Sequence, residues 1–362
     1  MRHLVWTAVL TALTCCSSYA ASAVIESIGS ADLIIIGEIT GPGTVANGAL
    51  SFSVSVKRVL KGSAAAPVLG VQFVGGPASR QTAGVPSGVC GVFFLRQGQG
   101  QWLVIPRSDP QSPVAGLFYP SDACEAGDPL TGAATTDDIV GLVLHSLYVG
   151  VPDDGYVLQV FHSVHSTDSP AVASAAGQLS SSARANLQTL GLAWRIALGD
   201  DSALGEVPAT IPALKGGPLG GVLVGPIAAY AHVGTAGVKN LGAIATQGAG
   251  TPFEYAASMA LRALHTTDAL PYLQQLLDSA NQQVRLNAIA GLSMALLDVP
   301  PLIGDPQGVF ERALNPAVRK KLSEADGAHV YFAGPDYASR EPELIAWWKA
   351  RAPQMIAAAA GL

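Results

Sequence analysis

His162 and His165 stand in an H-x-x-H spacing that could hold a divalent cation if a third ligand and an outer carboxylate joined them. Asp168 is the only carboxylate close by in the chain. Val160, Phe161 and Val164 read as a strand or another packed segment, so no metal ligand is assigned. Gly291-Leu292-Ser293-Met294-Ala295 has the outline of a nucleophile elbow, but it falls in a stretch of helical period, and an elbow needs a sharp strand-to-helix turn. Gly41-Pro42-Gly43 follows a strand pattern and precedes a second strand rather than a helix, so it is no dinucleotide fingerprint. Neither a Walker A loop nor an H-E-x-x-H motif occurs. The acidic pairs Asp137-Asp138, Asp153-Asp154 and Asp200-Asp201 lie in turns or at helix starts, where carboxylates complement the helix dipole. A glycosidase would need two carboxylates facing one cleft. No catalytic residue, cofactor or metal site is assigned.

The two cysteines that follow the N-terminal leader, Cys90 and Cys124, form an even pair in a chain read as exported, which favours a disulfide. Closing a loop of that length is worth about 3–4 kcal/mol in the loop-entropy model. The alternative is two free thiols; without a nearby His they are too few for structural zinc.

Residues 1–23 read as an export signal. Arg2 gives a short positive region, Leu4 to Thr14 an apolar stretch too short to span a bilayer. Ala21-Ser22-Ala23 is a small-x-small cleavage motif and Ser18-Tyr19-Ala20 a second one, so the mature chain begins at Ala21 or Val24. Cys15 and Cys16 raise the question of lipid attachment. Cys16 has Leu13 three residues earlier but Cys15 just before it, and the fit to an acylation signal is poor. No later segment reaches the ~20 apolar residues of a spanning helix. The expected location is periplasmic or extracellular.

The 362 residues are 49% apolar and 13% charged, enough for a sizeable core. A net charge of −6 excludes a basic nucleic-acid binder on bulk electrostatics. With Gly 40 and Pro 24 but no three-residue period and no heptads, the chain is neither collagen-like nor a coiled coil.

The first half reads as strands. Leu33 to Ile39 is a buried run ended by Gly41-Pro42-Gly43. Ser51 to Leu60 alternates, with Phe52, Val54 and Val56 on one face and Ser51, Ser53 and Ser55 on the other. Val68 to Val74, Val89 to Leu95 and Trp102 to Ile105 follow, the last two joined through Gln97-Gly98-Gln99-Gly100. Five short strands in this span suggest a small closed or nearly closed barrel, because closure removes exposed edges. The stretches Ala31-Asp32-Leu33-Ile34-Ile35-Ile36-Gly37-Glu38-Ile39, Val54-Ser55-Val56-Lys57-Arg58-Val59-Leu60-Lys61-Gly62 and Gly91-Val92-Phe93-Phe94-Leu95 resemble a bacterial exported β-domain similar in fold to the OB-like barrel of the tissue inhibitors of metalloproteinases. The resemblance covers roughly residues 24–110. Those inhibitors chelate a protease zinc through a mature N-terminal Cys; here the mature chain begins elsewhere, so that role is not carried over. Lys57, Arg58 and Lys61 read as edge-protecting residues at a strand end, with a polyanion or partner site as the alternative.

After a Pro- and Gly-rich connection over 106–136, Asp137-Asp138 opens a helix through Leu147, and Ser166 to Ser182 reads as a linker or helix start. From about Ser182 the period is 3.6. Asp268 is the expected N-cap of a helix with Pro271 in its first turn and Leu270, Leu273, Leu276 and Leu277 on one face. Gln282 to Leu297 is its partner, with Val284, Ala288, Ile289, Leu292 and Leu296 buried. This pair resembles a HEAT repeat: Ala269-Leu270-Pro271-Tyr272-Leu273, Leu276-Leu277-Asp278, Val284-Arg285-Leu286-Asn287-Ala288 and Leu292 follow the family pattern, except that Asp278 follows Leu277 directly. Tyr255 through Leu264 fits a further second helix, and Ala183 through Leu190 a weaker one. Arg184, Arg262 and Arg285 do not recur at one period, so the repeats are degenerate and broken by loops such as Leu214 to Gly221. About three helix pairs are expected over 182–322. The resemblance implies a stacking role for Asp278 and Arg285. Trp347 and Trp348 on a helix over Pro342 to Arg351 read as a cap on the array, with a ligand platform as the alternative; Tyr331, Phe332 and Tyr337 fit the same cap.

The expected class is α+β: a signal peptide (1–23), a small antiparallel OB-like β-barrel (24–125), an irregular and helical connector (126–181), a HEAT-like helical domain with a capping helix (182–351), and a tail (352–362). The expected function is a non-catalytic scaffold that binds a protein or peptide partner on the helical array, with no nucleic-acid partner. Rival readings are an inhibitor- or sensor-like barrel, and a hydrolase between the halves using His145, His162 and His165 with Asp153 or Asp154.

Overall fold

The computed structural model describes residues 23–46, 49–74, 87–98, 100–105, 118–124, 134–150, 152–164, 169–214, 217–230, 235–264, 266–297 and 341–360. They belong to two units, Met1–Gly191 and Leu192–Leu362.

The first unit is built on a sheet that closes on itself. Its strands are β1 (Leu33–Ile39), β2 (Thr44–Ala46), β3 (Ala49–Lys61), β4 (Val68–Val74), β5 (Cys90–Gly98), β6 (Gln101–Val104) and β7 (Phe118–Pro120). The order β1-β3-β4-β6-β5 returns to β1, giving a five-stranded barrel; β2 adds to β3 and β7 to β5. The expected antiparallel barrel is present, its seams antiparallel except one. The β4–β6 seam is parallel, with Val71 opposite Trp102 and Gln72 opposite Leu103. The β5–β6 hairpin turns the chain back, so β6 meets β4 running in the same direction. This connectivity is that of an OB-like barrel.

Alternation decides what fills it. Leu33, Ile35, Ile39, Phe52, Val54, Leu69, Val71, Phe93 and Leu95 form the interior. The opposite sides of β1 and β5 are buried as well, at Ile34, Ile36, Val92 and Phe94, which is why β1 reads as an unbroken apolar run. Gly37 sits where the register of β1 against β3 shifts, and a Cβ there would come within 2.4 Å of the Val54 side chain. Helix α1 (Ala23–Ser30) lies against β5 and the helices α2 (Thr136–His145) and α3 (Asp154–Val164). A 3-10 turn, Ser146–Tyr148, follows α2, and α4 (Pro170–Ser180) packs on α2. The Val160–Val164 segment is thus helical. Val157, Val160, Phe161 and Val164 are all buried, a spacing of i, i+3, i+4 and i+7 that belongs to a helix face. Helix α5 (Ala185–Ala197) carries the chain into the second unit.

The second unit contains α6 (Asp201–Leu214), α7 (Gly220–Ala228), α8 (Thr235–Gln247), α9 (Pro252–Ala263), α10 (Leu270–Leu276), α11 (Gln282–Leu297) and α12 (Glu341–Ala360). Among the described residues these form three successive pairs and a terminal helix. The first helices contact one another, α6 with α8; the second helices form a row, α7 with α9 and α9 with α11; α12 packs on α10 and α11. Leu270, Leu273, Leu276 and Leu277 are buried as their spacing predicts, and so are Val284, Ala288, Ile289 and Leu292. Leu296, Tyr331, Phe332 and Tyr337 lie outside the described residues or side chains. The cap ahead of α10 is Thr266 rather than Asp268: its hydroxyl accepts from the Asp268 amide and opens a 3-10 turn, Thr267–Ala269, that leads into the helix. Helix α12 runs on through Pro353 to Ala360, past the helix expected to end at Arg351. Among the described residues, no helix is long and apolar enough to cross a membrane.

Close approach of helices in this unit uses glycine. At Gly242 on α8 an added Cβ would lie 2.2 Å from the Tyr272 ring. Gly242→Ala should therefore destabilise the protein by about 1–3 kcal/mol, because the ring must move out of a packed site. Chemical denaturation measures this; an unchanged midpoint would show that the ring has room to yield.

Candidate functional site

Most of the ionisable residues singled out by spacing serve the fold. Asp138 completes a capping box with Thr135 at the start of α2, and hydrogen bonds from the Thr135 amide and hydroxyl hold its carboxyl below the usual range. Asp137 accepts from the Ser169 hydroxyl and the Ala171 amide, capping α4. Asp153 accepts from the Tyr156 amide at 2.8 Å, and Asp154 accepts from Asn186. Asp200 accepts from the Ser202 and Ala203 amides at the head of α6. Burial would raise its pKa, but hydrogen bonds from Ser202 and Arg195 hold it low. Arg195 also reaches Glu206 at 2.8 Å.

The imidazole of His145 is exposed and pairs with Asp122 at 3.0 Å, not with Asp153 or Asp154. His162 is exposed on α3, and His165 and Asp168 lie outside the described residues. No group of three His, Cys, Asp or Glu among the described residues could hold a metal ion. Ser293 is fully buried inside α11 and has no elbow geometry. Lys57 pairs with Glu38 at 2.7 Å, and the Lys61 ammonium donates to the Ile28 and Gly29 carbonyls at the end of α1. A cation at a helix C-terminus complements the dipole there. Arg285 donates to Glu341 at 2.5 Å, and Lys349 pairs with Asp278. The two residues expected to serve stacking thus fasten the terminal helix. Trp348 is fully buried, while Trp347 is half-buried with Arg351 over its ring at 5.1 Å.

Two constellations could not be found by spacing, because their members are far apart in the chain. In the first unit the segment Phe118–Cys124 runs along β5 as a strap. Cys124 is disulfide-bonded to Cys90, with Cα atoms 5.9 Å apart. The Tyr119 hydroxyl donates to Ser163 on α3 at 3.1 Å, and Asp122 meets His145 on α2. The second constellation lies along α9. Tyr255, Met259 and Arg262, at i, i+4 and i+7, form its half-buried stripe, while Phe253, Ala256, Ala257, Ser258, Ala260 and Leu261 are buried. Arg262 is braced from behind: one guanidinium nitrogen donates to Asn287 Oδ1 at 3.1 Å, Asn287 Nδ2 donates to Ser258 Oγ at 2.9 Å, and Ser258 donates to the Tyr255 carbonyl at 2.7 Å. Arg195 and Arg285 have carboxylate partners; among the described residues Arg262 has none. Among the described residues, four of its five N–H donors have no acceptor. Burial holds the Tyr255 hydroxyl above its usual range against the pull of Arg262, which keeps it a neutral donor.

No protein-family model, curated protein or solved structure matches this chain. The functional reading therefore rests on the arrangement alone. The α9 stripe offers an aromatic ring, a flexible thioether and an oriented guanidinium on a rigid helix, which suits recognition rather than bond-making.

Proposed function

We propose that the protein is a non-catalytic exported scaffold whose helical array, of HEAT-like design, binds an extended peptide or protein segment along the row of second helices. Arg262 receives a carboxylate of the partner, and Tyr255 and Met259 receive its apolar part. The observation that carries this reading is the Arg262 guanidinium, held in place by the Asn287–Ser258 relay and with donors unused among the described residues. Such a preorganised cation loses little side-chain entropy when an anion arrives. The location follows from the leader, periplasmic or extracellular. The rival reading, an inhibitor- or sensor-like module acting through the β-barrel, draws its support from the OB-like strand order.

The test is binding of the full chain to an array of unstructured peptides of graded acidity. Peptides with Asp or Glu beside an apolar residue should be retained. Arg262→Ala should weaken them about tenfold or more, as loss of an interface anchor does. Arg262→Lys should not restore binding, because an ammonium lacks the fork. Lys239→Ala, exposed on α8, is the control and should change nothing. Retention independent of both peptide charge and Arg262 would count against the proposal.

A further inference from the structure

The two cleavage motifs of the leader make different demands on the first helix. Cleavage after Ala23 would make Val24 the first residue. Val24 is fully buried, and α1 has already begun at Ala23. The new α-ammonium would then stand at the positive end of the helix dipole and beside a packed apolar layer, where a charge is poorly solvated. The helix has little freedom to unwind around such a charge. Val24 and Ile28 anchor its inner face, and Lys61 fastens its far end through the Ile28 and Gly29 carbonyls at 2.5 and 3.1 Å.

We infer that the mature chain begins at Ala21. An export peptidase adds water across the Ala20–Ala21 amide. Residues 1–20 leave with a carboxylate on Ala20, and Ala21 keeps the new ammonium. Ser18 and Ala20 fill the two small positions that such an enzyme reads. Three residues of the chain then precede Val24. The inference rests on the reading of residues 1–23 as an export signal, and its test separates the two.

The full-length precursor is expressed in a host with an export pathway, and the product is characterised by intact mass and N-terminal sequencing. A chain that starts at Ala21 is the expected result. One that starts at Val24, or at a lipidated Cys15 or Cys16, overturns the inference but keeps the export reading, whereas an uncleaved chain overturns both. Two precursor variants supply a second readout. Ala20→Leu should slow processing at least tenfold, while Ala23→Leu should be processed at the wild-type rate. The reverse pattern overturns the inference.

Discussion

Replacing Cys90 and Cys124 together with serine lowers the stability of the first unit by about 3–4 kcal/mol, the loop-closure entropy returned to the unfolded chain. The 34-residue separation sets that figure, and the strap it secures explains why other contacts cannot replace it. Strand β7 is three residues long and, among the described residues, pairs with β5 alone, through Gly91–Pro120, Val92–Tyr119 and Phe93–Phe118. The Asp122–His145 pair is exposed on both sides, at 64% and 48%, and such pairs contribute little. The Tyr119–Ser163 hydrogen bond is buried, and the Ser121 amide donates to the Cys90 carbonyl at 3.0 Å. Urea denaturation of the wild type and the double variant, with and without a dithiol reductant, measures the difference. Hydrogen exchange should show lost protection first in 118–124. Coincident denaturation midpoints for oxidised and reduced protein would show that the strap holds without its covalent tie.

The strap also marks where a linear reading of the chain runs out. Strand β3 is legible because Phe52 and Val54 alternate with Ser51, Ser53 and Ser55, and the structure buries the first set and leaves Ser53 exposed. The disulfide is legible because two cysteines leave one pairing. Strand β7 is not, since three residues give no period, and only its partner β5 makes them a strand. Helices α6 and α7 are obscured for another reason. Pro208, Pro212 and Pro226 lie within them, and a proline removes a backbone donor that a local reading counts against a helix. Tertiary packing overrides that cost: Leu204, Val207, Ile211, Leu223 and Ile227 are buried. The α9 stripe shows the same limit at the level of the site. The sequence marks Arg262 as one member of a degenerate repeat. Its bracing by Asn287, 25 residues on, exists only because α9 and α11 are neighbours in the folded chain.

Trp348→Ala costs about 3–5 kcal/mol, the range for emptying the site of a fully buried indole. Trp348, Leu344 and Ala352 form the buried face of α12, and this face is what the array lacks at its C-terminal end. The polar fastenings of the helix are arranged around the same contact. Glu341 is 6% exposed and receives both Arg285 at 2.5 Å and Gln282 at 2.9 Å. With Trp348 removed, solvent reaches and screens this ion pair, so it holds the helix less firmly. Trp347→Ala separates a cap from a ligand platform. Trp347 is half-buried under Arg351, so its loss should cost only about 1 kcal/mol, within the range of an exposed cation–π contact and partial burial. At roughly 2–4 °C per kcal/mol for a unit of this size, Trp348→Ala should lower Tm by about 10 °C and Trp347→Ala by a few degrees. Differential scanning calorimetry reads both. Equal shifts for the two variants would mean that α12 does not cap the array through Trp348.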